Sequence, residues 1–171
     1  MVSKELLQEI TEYLNVKYMP EQQEPLLIKI EPLMLNVCGA LGGKILGEET
    51  IEDLVSNLDE PFSQTLMRLI DSKKMTDSDV YRRANIDRRL FAKIRKPDYR
   101  PGKQTVLALA IAIELDLDET KQLLERAGFA LSRSQKSDVI IEYFIKHKMY
   151  DIHEINDVLF EYDLQTLGAS V

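Results

Sequence analysis

Cysteine, histidine, bulk positive charge and long apolar runs are all scarce in this chain of 171 residues. Cys38 is the only cysteine, so no intramolecular disulfide framework can form, and His147 and His153 are the only imidazoles, too few to complete a recognisable zinc ligand set. No metal or cofactor is expected, and a reducing compartment fits best. No stretch approaches the roughly 18 apolar residues of a membrane span, and the first residues show no basic region followed by an apolar run. The sequence therefore reads as cytoplasmic, with no membrane partner. The formal net charge of −7 advertises no nucleic-acid partner through overall basicity.

What is present is segregated. Residues 1–60 carry 4 basic and 12 acidic side chains, residues 61–131 carry 14 and 10, and residues 132–171 carry 4 and 7. Nine Lys or Arg lie between Arg82 and Lys103 against two acids, Asp87 and Asp98. A local patch of this kind binds phosphates whatever the distant segments carry. With 44% apolar and 30% charged residues, the chain is ordinary for a globular protein.

Apolar periodicity divides the chain into three parts with an all-α character. In residues 1–60, Leu6, Leu7, Ile10, Leu14 and Tyr18 line one side of an amphipathic helix in need of a partner. Pro20, Pro25 and Pro32, then Gly39, Gly42, Gly43 and Gly47, make long helices improbable after it; extended segments at 26–30 and 33–37 and a short helix after Thr50 are the expectation. Residues 61–131 hold five helical patterns. Phe62, Leu66, Leu69 and Ile70 mark the first, and the run from Val106 to Ile113 is apolar enough for a helix buried on most sides. Asp116 with Glu119 opens the last and Gly128 closes it. Residues 132–171 form a C-terminal helical extension. Ser132 with Gln135 suggests a capping box, and Ile152, Ile155, Leu159 and Phe160 repeat an apolar face that packs on the neighbouring domain or forms a homodimer seam.

Chemistry is concentrated in Thr76–Lys96, TDSDVYRRANIDRRLFAKIRK. Thr76 is placed to cap one short helix with Val80 and Ala84 inward, and Asp87 to cap a second with Leu90, Phe91 and Ile94 inward. Arg88, Arg89, Lys93 and Lys96 then share the outward face of the second helix. Tests for enzymatic motifs are negative. Gly39–Ile45 superficially resembles a phosphate loop but is one residue short between its glycines and lacks the Ser or Thr needed for magnesium. Asp151-Ile152-His153-Glu154 lacks metal-helix spacing and reads as a capping aspartate with surface neighbours. No enzymatic activity is expected.

The order of these patterns, followed by a proline-containing loop and TVLALAIAIELDLDETKQLL, resembles the five-helix DNA-binding domain of the lambda-repressor and Cro type, the XRE family, over about 70 residues. The resemblance rests on Leu69, Val80, Ile86, Leu90, Ile94, Leu107 and Leu115. It implies a helix-turn-helix core with a recognition helix at Asp87–Lys96, and base reading by Arg88 and Arg89 with Ala92 and Lys93 one turn on. The implied interface with double-stranded DNA comprises Arg82, Arg83, Arg88, Arg89, Lys93, Lys96, Arg100 and Lys103. Three positions depart from the family: Asp77 stands where a phosphate-gripping glutamine is usual, Tyr81 where a small alanine lets the helices cross, and Asn85 where the turn has glycine. A carboxylate at 77 is expected to repel phosphate, a ring at 81 to splay the helices, and Asn85 to tolerate the turn. Two functions follow as expectations: a sequence-specific transcriptional regulator, or a protein-interaction adaptor that reuses the fold through its N- and C-terminal helices.

Overall fold

The computed structural model describes residues 3–18 and 60–168, which are helical without strands and belong to one compact unit. The expected extended segments at 26–30 and 33–37, the helix after Thr50, Cys38 and the loop Gly39–Ile45 lie outside the described residues. Eight helices are seen among those described: α1 (Lys4–Lys17), α2 (Phe62–Ser72), α3 (Asp77–Arg83), α4 (Arg88–Ile94), α5 (Lys103–Ala112), α6 (Leu117–Arg126), α7 (Lys136–Lys146) and α8 (Ile152–Glu161).

Helix starts follow the side-chain acceptors in the sequence. Thr76 accepts from the Asp79 amide, Asp87 from Arg89, Asp151 from His153 and Glu154, and Asp116 with Glu119 completes a capping box on α6. Ser132 does not cap α7. The residue at that boundary is Gln135, which makes no side-chain cap, while the Ser132 amide donates to Asp138 at 2.7 Å and its hydroxyl meets Ser134. The polar group that would have capped the helix is engaged by a turn instead.

The centre of the unit is α5, in which every residue from Thr105 to Ala112 is buried. It packs on α3, α6 and α8; α6 also meets α2 and α7, and α7 carries α8 on one side and α1 on the other. This arrangement decides the fate of the C-terminal apolar faces. Ile155 and Leu159 are fully buried within the same chain, so they are core and not a dimer seam. Phe160, expected on that stripe, points outward and is 74% exposed.

Helix α1 finds its partner within the chain. Ile10 and Leu14 are buried, and the Tyr13 and Tyr143 rings meet edge to face at 5.1 Å. The Tyr143 hydroxyl donates to Glu9 at 2.8 Å, Thr11 and Tyr162 share a hydrogen bond of 2.7 Å, and the Lys136 ammonium lies 5.5 Å from the Tyr18 ring centre.

Candidate nucleic-acid interface

Two seven-residue helices, α3 and α4, and the turn between them hold the basic stretch. Seven residues are too few for a helix stable by itself, so the pair depends on what it buries. Val80, Ala84, Phe91 and Ile94 are all buried against the core, anchored through α5. At the turn Asn85 takes φ 51°, and the Ile86 amide reaches back to the Tyr81 carbonyl at 3.0 Å. Asparagine tolerates this left-handed backbone, as expected from the sequence. Tyr81 is half-buried with its ring 6.1 Å from that of Phe91.

With Phe91 and Ile94 turned inward, Arg88, Arg89, Lys93 and Lys96 are left exposed on α4 and just beyond it, and none of their side chains has an ion-pair or hydrogen-bond partner among the described residues. Arg82 and Arg100 are exposed and likewise unpaired. These six cations do not share one depression. Arg88 borders a hollow of about 420 Å³ between α3 and α4, lined also by Asp77, Ser78, Tyr81 and Arg95. Arg82 borders a separate hollow of about 540 Å³ with Arg83, Lys148, Tyr150 and His153. Arg100 borders a third, of about 300 Å³, with Phe62 and Tyr99.

Two of the eight cations implied by the family resemblance are engaged elsewhere. Arg83 bonds Glu114 at 2.7 Å on the surface. Lys103 reaches Asp138 at 2.5 Å, with the lysine side chain 17% and the carboxylate 2% exposed, so this lysine ties α5 to α7 and is withdrawn from any surface interface. Sequence reasoning missed a further pair, Arg95 with Asp77, whose atoms lie 2.5 Å apart. The carboxylate that would face an incoming phosphate is therefore neutralised by a neighbour 18 residues away, a separation that leaves no local signal in the sequence.

The hollow beside Arg82 has a different electrostatic character. The Tyr150 hydroxyl, which donates to the Leu115 carbonyl at 3.1 Å, is held above its ordinary pKa by burial first and then by Asp116, Glu114 and Glu119. Its charged lining is mixed, with Arg82, Arg83 and Lys148 beside Glu114 and Asp151. Among the described residues no group of three or more His, Cys, Asp or Glu is gathered as a metal site, and no described helix is long and apolar enough to cross a membrane. Comparison with protein-family models, with curated proteins and with solved structures gives no match.

Proposed function

We propose that this chain is a sequence-specific DNA-binding protein of the XRE helix-turn-helix type and acts in transcriptional regulation, within the cytoplasm. The observation that carries the reading is the row Arg88, Arg89, Lys93 and Lys96, with side chains exposed and unpaired among the described residues, on and just beyond a helix whose other face is locked into the core. A side chain without an intramolecular partner loses no internal bond when it meets a phosphate or base. In this reading α4 enters the major groove. Arg88 and Arg89, opening the helix, offer their guanidinium forks to guanine O6 and N7, and Lys93 and Lys96 neutralise backbone phosphates. Acidic residues in the flanking parts hold down non-specific affinity, since the chain as a whole repels the polyanion at net charge −7.

Selection of a preferred site from random duplexes, followed by salt titration, tests this. Arg88→Ala or Arg89→Ala should lower preference for that site by about 1–3 kcal/mol, the scale of one lost bidentate base contact. Lys96→Ala should weaken all sequences alike and flatten the log–log salt dependence by about 0.9. Absence of any salt-dependent DNA affinity, or unimpaired binding by the Arg88→Glu, Arg89→Glu double variant, refutes the reading.

The second reading, a protein-interaction adaptor without DNA binding, is favoured by one observation: Val16 on α1 and Phe160 on α8 are large apolar side chains 76% and 74% exposed. Single exposed hydrophobic residues are common, which ranks this reading below the first.

A further inference from the structure

The hollow between α3 and α4 contains one cation that the exposed row does not use. Arg95 follows the last residue of α4 and lies between Lys93 and Lys96 in sequence, yet its guanidinium is turned to Asp77, the first residue of α3. Both side chains are well exposed, 53% and 43%, so solvent screens the pair and folding gains little from it. Its consequence lies in charge presented to a ligand. Without Asp77, Arg95 would join Arg88 at the rim of the same hollow as a second unpaired cation beside the proposed DNA face. With Asp77, the hollow carries one available guanidinium fewer, and its remaining polar lining is Arg88 and the hydroxyls of Thr76, Ser78 and Tyr81.

Resting on the DNA-binding reading above, we propose that Asp77 withholds Arg95 from the DNA backbone and so sets the affinity of the interface below what its arginines could deliver. The partner is the phosphodiester backbone, and Asp77 is its intramolecular competitor. An internal carboxylate is always present at the 2.5 Å contact, whereas a phosphate must pay for association to replace it. Sequence preference would be unaffected, because Arg95 sits at the far end of α4 from Arg88 and Arg89 and a backbone contact reads no base.

Salt titration of the full-length chain on a mixed-sequence duplex DNA fragment separates the possibilities. Asp77→Asn should bind more tightly than wild type and steepen the log–log salt slope by about 0.9, so its advantage grows three- to fourfold between about 200 mM and about 50 mM salt. Arg95→Ala in the wild-type background should leave the slope unchanged. In the Asp77→Asn background it should abolish the gain. A gain that survives in the double variant would show simple removal of repulsion and overturn the proposal, as would a slope already reduced by Arg95→Ala alone or no gain in Asp77→Asn. In each of these cases the DNA-binding reading stands. Failure of every variant, wild type included, to bind DNA in a salt-dependent way overturns both. Thermal melting identifies any variant with a folding defect, and Asp77→Ser then takes the place of Asp77→Asn in the same titration.

Discussion

Lys103 and Asp138 form an ion pair of 2.5 Å between the first residue of α5 and the first turn of α7, and the carboxylate is almost completely covered. Asp138 Oδ2 also accepts the Ser132 amide at 2.7 Å, so one oxygen ties the buried central helix, the preceding turn and α7 together. Removing one partner of a covered pair leaves the other desolvated and uncompensated. Asp138→Ala is therefore expected to cost about 3 kcal/mol in urea unfolding, at the lower edge for buried pairs because Lys103 retains some solvent contact. Lys103→Ala should likewise destabilise the fold and, on the proposed DNA-binding reading, leave the salt slope untouched. A variant as stable as wild type would show the pair to be idle.

Ile155 and Phe160 lie five residues apart on α8 and face opposite environments, fully buried and 74% exposed. Ile155→Asp, and equally Leu159→Asp, would place a carboxylate in a site without solvent or partner. Loss of more than about 4 kcal/mol is expected, enough to unfold a marginal domain. Phe160→Asp should change stability by less than about 0.5 kcal/mol. Circular dichroism melts of the three variants check the contrast. A soluble folded monomer from Ile155→Asp would return these residues to a subunit seam.

Much of this architecture was legible because several helix starts carry a short polar acceptor ahead of an apolar period, whereas Pro61, Gly102 and Gln135 open their helices without a side-chain cap. Thr76, Asp87, Asp116 and Asp151 cap in the structure as their positions imply. Helix ends were less legible. Gly128 was recognisable, but Lys74, Glu114, Lys148 and Asp163 also take left-handed backbone, with φ of 54° or 55°. Each precedes an apolar residue whose amide returns to a helix carbonyl five residues back, as Met75 does to Ile70, Leu115 to Ala110 and Met149 to Phe144. Packing of that following residue on the core, complete for Leu115 and partial for Met75, Met149 and Leu164, drives the turn, and the charged residue tolerates it, so composition gives no cue. At the candidate interface, spacing alone placed Arg88, Arg89, Lys93 and Lys96 outward. The partners of Arg95, Arg83 and Lys103 lie 18, 31 and 35 residues away and become visible once α3, α5 and α7 are packed.

Alkaline pH should loosen the contact between α1 and α7. Burial, then the hydrogen bond and charge of Glu9, raises the Tyr143 pKa from 10.0 to about 12. The fold thus favours the neutral phenol. Its contribution to stability is complete below pH 10 and is lost as pH rises through about 12, where the folded form too gives up the proton. Tyr143→Phe cannot ionise and should show a shallower decline over that interval. Denaturant midpoints across the interval, with tyrosinate absorbance as the direct readout, check the difference; parallel curves for the two proteins would refute it.

The C-terminal residues brace the turn that sets the angle of α4. Asn156 holds the Leu167 backbone at both ends, donating to its carbonyl at 3.0 Å and accepting its amide at 2.7 Å, and the Leu167 side chain is buried. This places Gly168, at φ 88°, so close to the α3–α4 turn that a Cβ would lie 2.5 Å from the Ala84 carbonyl oxygen and 2.9 Å from that of Asn85. Gly168→Ala must push into backbone or release the tail. Release is the cheaper course, since its cost is bounded by the burial of one leucine and two hydrogen bonds, about 2–4 kcal/mol together. Leu167→Ala removes most of the same anchoring, so the two substitutions should be less than additive when combined. Hydrogen exchange provides the specific measurement. The Ile86 amide, bonded to Tyr81 across the turn, should lose protection in Gly168→Ala beyond what global destabilisation explains, and on the proposed DNA-binding reading affinity should fall with it as α4 loses its fixed angle. Unchanged protection at Ile86 would mean that the turn stands without the tail.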